Sequence, residues 1–142
     1  MNTINKRPSV LFVCTGNSCR SQMAEGWLRT LCDGKYNSYS AGTSPSRVHP
    51  MAIAVMDEVN IDIKGQTSDG LDKYLDKSID HVITLCDNAA ETCPVFPSAK
   101  SVEHWGLKDP YRGWEFDENQ LPEYRKTRDI IKEKVQEFLK KN

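Results

Sequence analysis

Hydrophobic and polar positions along this chain switch repeatedly between two periods. Residues 10–13 are an unbroken apolar run rich in β-branched side chains, the pattern of a strand covered on both faces. From Ser21 to Leu31 the period becomes helical, with Met23, Trp27 and Leu31 beside Ala24 and Leu28 on one broad apolar face. Residues 36–41 alternate enough for a second strand, which ends at Gly42. Behind Pro50, apolar residues at 51, 52, 55, 56 and 59 predict a helix over 50–59 with proline in its first turn. A short helix is predicted at 69–75, a second buried strand at 80–85 (DHVITL) and a shorter one at 101–105. A long amphipathic helix over 121–140 closes the chain, with Ile130, Ile131, Val135, Phe138 and Leu139 facing inward.

Strands alternating with helices predict an α/β fold, a four-stranded parallel sheet with helices on both faces, in a single domain spanning residues 1–142. In open sheets of this kind ligands bind at the carboxyl ends of the strands. Cys14 and Cys86 both fall at such ends.

Composition and charge exclude several classes. With 38% hydrophobic and 27% charged residues the chain reads as globular, and 142 residues suffice for one core. A net charge of −1 gives no reason to expect nucleic acid or an acidic membrane as partner. No apolar run approaches the ~20 residues of a membrane span. The opening MNTINKRPSV carries two positive charges, but the apolar run after it is too short for a signal peptide, so a cytosolic location is expected. Nothing in the pattern calls for more than a monomer. The five cysteines, at 14, 19, 32, 86 and 93, are an odd number, and cytosolic thiols stay reduced. That points to chemistry and away from a disulfide framework, except at Cys32, which reads as simple packing.

The densest chemistry lies where the first strand hands over to the first helix: Cys14-Thr15-Gly16-Asn17-Ser18-Cys19-Arg20-Ser21. A loop running into a helix N-terminus turns unpaired N–H groups inward, and the helix dipole adds partial positive charge. Gly16 and Asn17 tolerate the left-handed backbone that such an anion-binding nest needs. Arg20 adds a bidentate fork for a tetrahedral oxyanion. These positive contributions favour a thiolate at Cys14, and Ser21 can donate to its sulfur. The plainer alternative is a Cys14 that only fills space beneath a glycine turn.

CTGNSCRSQMAE resembles the phosphate-binding loop of the low-molecular-weight protein tyrosine phosphatase fold, and in particular its thioredoxin-coupled arsenate reductase branch. The likeness continues through YSAG, TSD, VITLC, CP, EHWG and DP, and so covers nearly the whole chain. Both branches share the loop, Cys19 included, so the later cysteines must distinguish them. If residues 86–93 form a helix, they rise ~10.5 Å, whereas a disulfide needs Cα atoms within about 7 Å. Oxidation to Cys86–Cys93 therefore requires this segment to unwind. Pro94 marks its end, and Asn88 and Thr92 are mediocre helix formers, which makes the helix marginal. Zinc binding and plain burial are the other readings of this pair, though structural zinc favours shorter Cys spacing and four ligands.

The resemblance implies a relay. Cys14 attacks arsenate held in the loop, Cys86 attacks the Cys14 sulfur as arsenite leaves, and Cys93 attacks Cys86, leaving a disulfide for thioredoxin. The electrons come from protein thiols, so no organic cofactor is implied. Glutaredoxin or a small thiol are other conceivable reductants, with the exposed pair favouring thioredoxin; phosphate and sulfate are the expected competing oxyanions. By the same likeness Asp109, before Pro110, serves proton transfer, although an Asp-Pro is also an ordinary turn signal. DPYRG partly resembles the phosphatase branch, which places two aromatics there; here Tyr111 is followed by Arg112, and a side phosphatase activity is implied. Some members of the reductase branch hold potassium near the loop; the matching positions are Asn17, Glu25, Ser40 and Asp69, each with a capping or surface reading as well. His49, His81 and His104 lack ligand-like spacing and read as structural or exposed. Two other functions stay open: a tyrosine phosphatase using Cys14, Arg20 and Asp109, and an oxyanion-sensing module without turnover.

Overall fold

β1 (Ser9–Cys14) lies inside a four-stranded sheet of order β2-β1-β3-β4, with β2 at Asn37–Gly42, β3 at His81–Thr84 and β4 at Ser101–His104. The structure is a computed structural model that describes residues 7–93 and 96–142. Every strand pair is parallel, so every connection crosses over. Helices make the crossings: α1 (Arg20–Leu31), α2 (Pro50–Asp57) and α3 (Asp87–Thr92) separate successive strands, and α4 (Leu121–Lys141) closes the chain.

The two central strands are buried on both faces, which is why their sequences read as continuous apolar runs. Val10, Phe12, Ile83 and Leu85 enter a large core with residues of α1, α2 and α4. Leu11, Val13 and Val82 enter a smaller core with Tyr74, Ile79, Ala89 and Phe96. Helices thus cover both faces, as expected, but unequally. Among the described residues, the helical cover of the smaller face is the six residues of α3 and a 3-10 turn at Leu71–Tyr74.

Element bounds differ from the sequence reading in instructive places. α2 ends at Asp57, short of Val59, because the chain turns through a left-handed Asn60 (φ 63°). The helix predicted at 69–75 is that single 3-10 turn. On α4, Leu139 is half-buried against the large core as expected, Ile130 is half-buried outside it, and the inward face of Ile131, Val135 and Phe138 also takes in Tyr124, Thr127 and Arg128. Arg128 can face inward because its guanidinium donates to the Val55 carbonyl (2.9 Å) and to Glu58 (2.8 Å), joining α4 to α2. Trp27 of α1 donates to the Arg128 carbonyl at 3.1 Å. Lys6, in the basic start of the chain, and Pro94 lie outside the described residues.

Candidate active site

Cys14 is the last residue of β1 and Arg20 the first of α1, so the intervening loop, residues 15–19, sits at the carboxyl edge of the sheet. Its carbonyls are tied outward: Ser44 donates to Thr15, Ser46 to Gly16 and His49 to Ser18, at 2.8–3.0 Å. No hydrogen bond joins the N–H groups of residues 15–19 to another group among the described residues. That is the polarity an anion requires. Asn17 takes the left-handed conformation (φ 46°), as expected, but Gly16 does not. Gly42 is the glycine the loop depends on. A Cβ there would lie 2.5 Å from the Thr15 carbonyl oxygen and 2.9 Å from the Asn17 nitrogen, so only hydrogen at that position lets β2 approach the loop.

Cys14 is buried, with Sγ 2.9 Å from the Ser21 hydroxyl. That hydroxyl also lies 2.8 Å from Asn17 Oδ1, which receives a second donor, Gln22 Nε2, at 3.0 Å. Asn17 therefore keeps a partner when Ser21 turns its single proton toward the sulfur. Arg20 is buried too; Nη1 donates to the Leu107 carbonyl (3.0 Å) and Nη2 pairs with Asp109 Oδ2 (3.3 Å). Its Nε is buried with no partner among the described residues, a donor suited to an oxyanion. Asp109 is half-exposed and is oriented by the Tyr111 N–H on Oδ1 (3.0 Å).

Above the loop is a cavity of about 200 Å³ lined by Cys14, Arg20, Ser46, Asp109, Tyr111 and Trp114 among others. The mouth has two aromatics after all. Arg112 turns away, donating to the Tyr111 carbonyl (2.8 Å), and Trp114 supplies the second ring, 5.6 Å from Tyr111 between centroids.

Cys19 shares the loop but not its chemistry. Burial pushes its thiol from 9.0 up to about 11, against the opposing hydrogen bonds from Ser18 and Tyr124. It is a neutral thiol at physiological pH. Cys32 is buried as expected, close to the carbonyls of Arg29 and Tyr36.

Cys86 stands just past β3, half-buried, with Sγ 3.2 Å from the Thr15 hydroxyl. The same sulfur accepts the Ala89 N–H (3.4 Å) and so caps α3. Cys93 is the C-cap, its N–H on the Ala89 carbonyl (2.9 Å), and burial raises its thiol above the ordinary value. The two cysteines therefore bracket a real helix, ~10 Å apart along its axis and too far for a disulfide without unwinding. Among the described residues no cluster of three or more His, Cys, Asp or Glu is arranged to hold a metal, so zinc at this pair lacks further ligands.

The four positions matched to potassium converge in part. Glu25 Oε1 accepts the Ser40 hydroxyl (2.6 Å), and burial pushes the Glu25 carboxyl up despite Ser40 and Arg29. Asp69 takes the Thr67 hydroxyl (2.6 Å) and Lys73 (3.3 Å), and its carbonyl receives Asn17 Nδ2 (3.4 Å). Asn17 thus offers this cluster its amide N–H, with its oxygen turned to Ser21 and Gln22. Gln66 Oε1, in the same hollow as Glu25, is buried and unpartnered among the described residues.

The histidines differ from one another. His81 bonds Ser101 (2.6 Å), and His104 bridges Thr84 (2.8 Å) and Asp87 (3.0 Å). His49 is fully buried between the loop and the mouth, a placement that its sequence neighbours do not signal.

The profile of the family described as low molecular weight phosphotyrosine protein phosphatase matches residues 9–142. An arsenate reductase of Staphylococcus xylosus is 46% identical over 132 residues, covering 93% of this chain and 96% of that protein. The solved structure of an arsenate reductase in its phosphate-binding state superposes with a TM-score of 0.79 at 43% identity, over 94% of this chain and 98% of the other. A low molecular weight protein tyrosine phosphatase from T. tengcongensis shares the fold, with a TM-score of 0.76 at 24% identity over 95% of this chain and 99% of its own.

Proposed function

Because the chain belongs to the low molecular weight phosphotyrosine protein phosphatase family, and within it to the arsenate reductases, we propose that it reduces arsenate to arsenite. The observation that carries this reading is Cys86, its sulfur against the Thr15 hydroxyl of the anion loop and its backbone at the start of a short helix that ends in Cys93. A phosphatase has no use for that pair.

Arsenate oxygens accept from the loop N–H groups and from Arg20, and Cys14 attacks arsenic. One arsenate oxygen leaves as water, protonated by Asp109, and a Cys14–arsenic bond forms. Cys86 then attacks Cys14 Sγ, making the Cys14–Cys86 disulfide. The electron pair of the sulfur–arsenic bond stays on arsenic, which becomes arsenic(III) and departs as arsenite. Cys93 attacks Cys86 next, freeing the Cys14 thiolate and leaving Cys86–Cys93. Two electrons and two protons from thioredoxin restore both thiols. Binding Cys86 into a disulfide weakens the acceptor that caps α3, and unwinding relieves the burial that holds Cys93 protonated.

The same loop can attack phosphorus, so slow hydrolysis of aryl phosphates accompanies the main reaction. No helix among the described residues is long and apolar enough to cross a membrane, and we place the protein in the cytosol, as a monomer, in arsenic detoxification. A potassium ion would be held by Glu25, Ser40 and Asp69, with Gln66 Oε1 as a neighbouring oxygen; it would offset buried negative charge and steady Asn17 through Asp69.

The test is arsenate-dependent NADPH oxidation with thioredoxin and thioredoxin reductase, with arsenite measured directly, in KCl and in NaCl at equal ionic strength. Arsenite in step with NADPH is expected, at a lower arsenate KM in KCl. Aryl phosphate hydrolysis with no arsenite would hand the function to the phosphatase reading, and identical KM values would remove potassium.

A further inference from the structure

His49 joins the anion loop, α2 and the two aromatics of the mouth. Its backbone N–H donates to the Ser18 carbonyl of the anion loop at 3.0 Å. Its ring caps α2, with Nδ1 accepting the Met51 N–H at 3.0 Å. The opposite ring nitrogen, Nε2, lies 2.7 Å from the Gly113 carbonyl, four residues beyond Asp109. The ring stacks on Trp114 (4.9 Å between centroids, 17° between planes) and meets Tyr111 edge-on at 5.7 Å. Tyr124 of α4 packs on it at 5.5 Å. Gly113 itself has φ 104°, a conformation that lets the chain fold back toward this ring.

These bonds fix the protonation state. An amide N–H can only donate, so Nδ1 must be bare; a carbonyl can only accept, so Nε2 must carry the proton. Both hold together only in the neutral imidazole. Resting on the function proposed above, we infer that His49 is a positioning residue, a clasp that holds the Asp109–Trp114 loop over the anion loop and does so only while its imidazole is neutral. A protonated ring would present Nδ1–H to the Met51 N–H, lose that cap and leave a charge among aromatic rings.

The charged and titratable groups around the ring are Arg47, Asp109, Tyr111 and Tyr124. Arg47 lies over the Trp114 ring, 4.4 Å from its centroid, and opposes protonation; Asp109 favours it. Burial is the largest influence and pushes His49 below 6.5. The sign follows: the clasp is intact above the ordinary histidine range and is lost as pH falls through the lowered folded value.

The test uses His49→Asn, which keeps an α2 cap acceptor but cannot also reach Gly113 or stack on Trp114. The full chain, without thioredoxin, is mixed with arsenate and single-turnover arsenite release is followed from pH 5 to pH 8. Misplacing a proton donor costs about tenfold or more, so the saturated rate should fall about tenfold with half-saturation changed less than about twofold, because loop N–H groups and Arg20 bind the anion. The acid limb of the wild-type profile should flatten in the variant. Independently of any activity, imidazole ¹⁵N NMR should show His49 as the neutral Nε2–H tautomer at pH 7. A folded His49→Asn protein with unchanged rate and acid limb would overturn the clasp, and so would an Nδ1–H tautomer. If His49→Asn does not fold, Trp114→Leu, which removes the stacked ring and leaves the cap, should give the same rate loss. Wild-type protein that releases no arsenite would count against the proposed function alone, and the NMR result would still decide the clasp.

Discussion

The anion loop and the segment from Cys86 to Cys93 carry the same chemistry, a cysteine thiol, in opposite mechanical settings. Residues 15–19 are pinned from outside at Thr15, Gly16 and Ser18, backed by Gly42, and flanked by a buried cysteine and a buried arginine. Between Cys86 and Cys93 lies a six-residue helix, Asp87–Thr92, whose N-cap is a sulfur and whose two flanking cysteines are only half-buried. A site that stabilises developing charge has to be set before substrate arrives. A relay has to move, because Cys86 and Cys93 start at opposite ends of a helix. The molecule therefore puts its bonds into the loop and leaves α3 short, on the thinly covered face of the sheet.

The sharpest way to break the contrast is to loosen the rigid half. Gly42→Ala places a methyl against the Thr15 carbonyl and the Asn17 nitrogen, which are backbone and cannot swing aside. Such overpacking costs about 1–3 kcal/mol, and phosphate affinity measured by calorimetry should fall as much as about a hundredfold, the equivalent of ~2.7 kcal/mol. Unaltered phosphate binding would mean that the loop is softer than its hydrogen bonds imply.

A smaller effect separates the two kinds of buried thiol. Cys19 is raised from 9.0 to about 11, so its contribution to stability is complete below pH 9 and is lost as pH rises toward 11. By pH 10 the loss is about 1 kcal/mol, or about 3–4 °C of Tm. The decline between pH 8.5 and pH 10 should be shallower in Cys19→Ala. Parallel curves for the two proteins would show that Cys19 ionises without strain. Cys93 is also raised by burial, yet unwinding of α3 can release it, whereas no such path opens for Cys19.

The rigid half was also the more legible in sequence. An apolar run, a Cys-x5-Arg spacing and a helical period put strand, loop and helix in register, because each is a local pattern. Between Cys86 and Cys93 the sequence offers a helix only as a condition, with Asn88 and Thr92 weak formers, and a short one is present at Asp87–Thr92. What could not be read were contacts made across the chain. Gly42 looked like a strand end, although its role lies in what it approaches at Thr15 and Asn17. His49 before a proline had no motif around it, since its partners are at 18, 51 and 113. Trp114 supplies the aromatic missing at 112 from beyond a left-handed Gly113 (φ 104°). Arg128 broke the apolar face of α4 for a partner, Val55, on another helix.

The most direct measurement of the relay is disulfide mapping after a single turnover quenched with acid, in wild-type protein and in Cys93→Ala, with arsenite counted in the same samples. Wild-type protein should give one arsenite and one Cys86–Cys93 disulfide, with Cys14 free, while Cys93→Ala should give one arsenite and stop at Cys14–Cys86. Arsenite accompanied by a Cys14–Cys19 bond, or by no disulfide at all, would contradict the account.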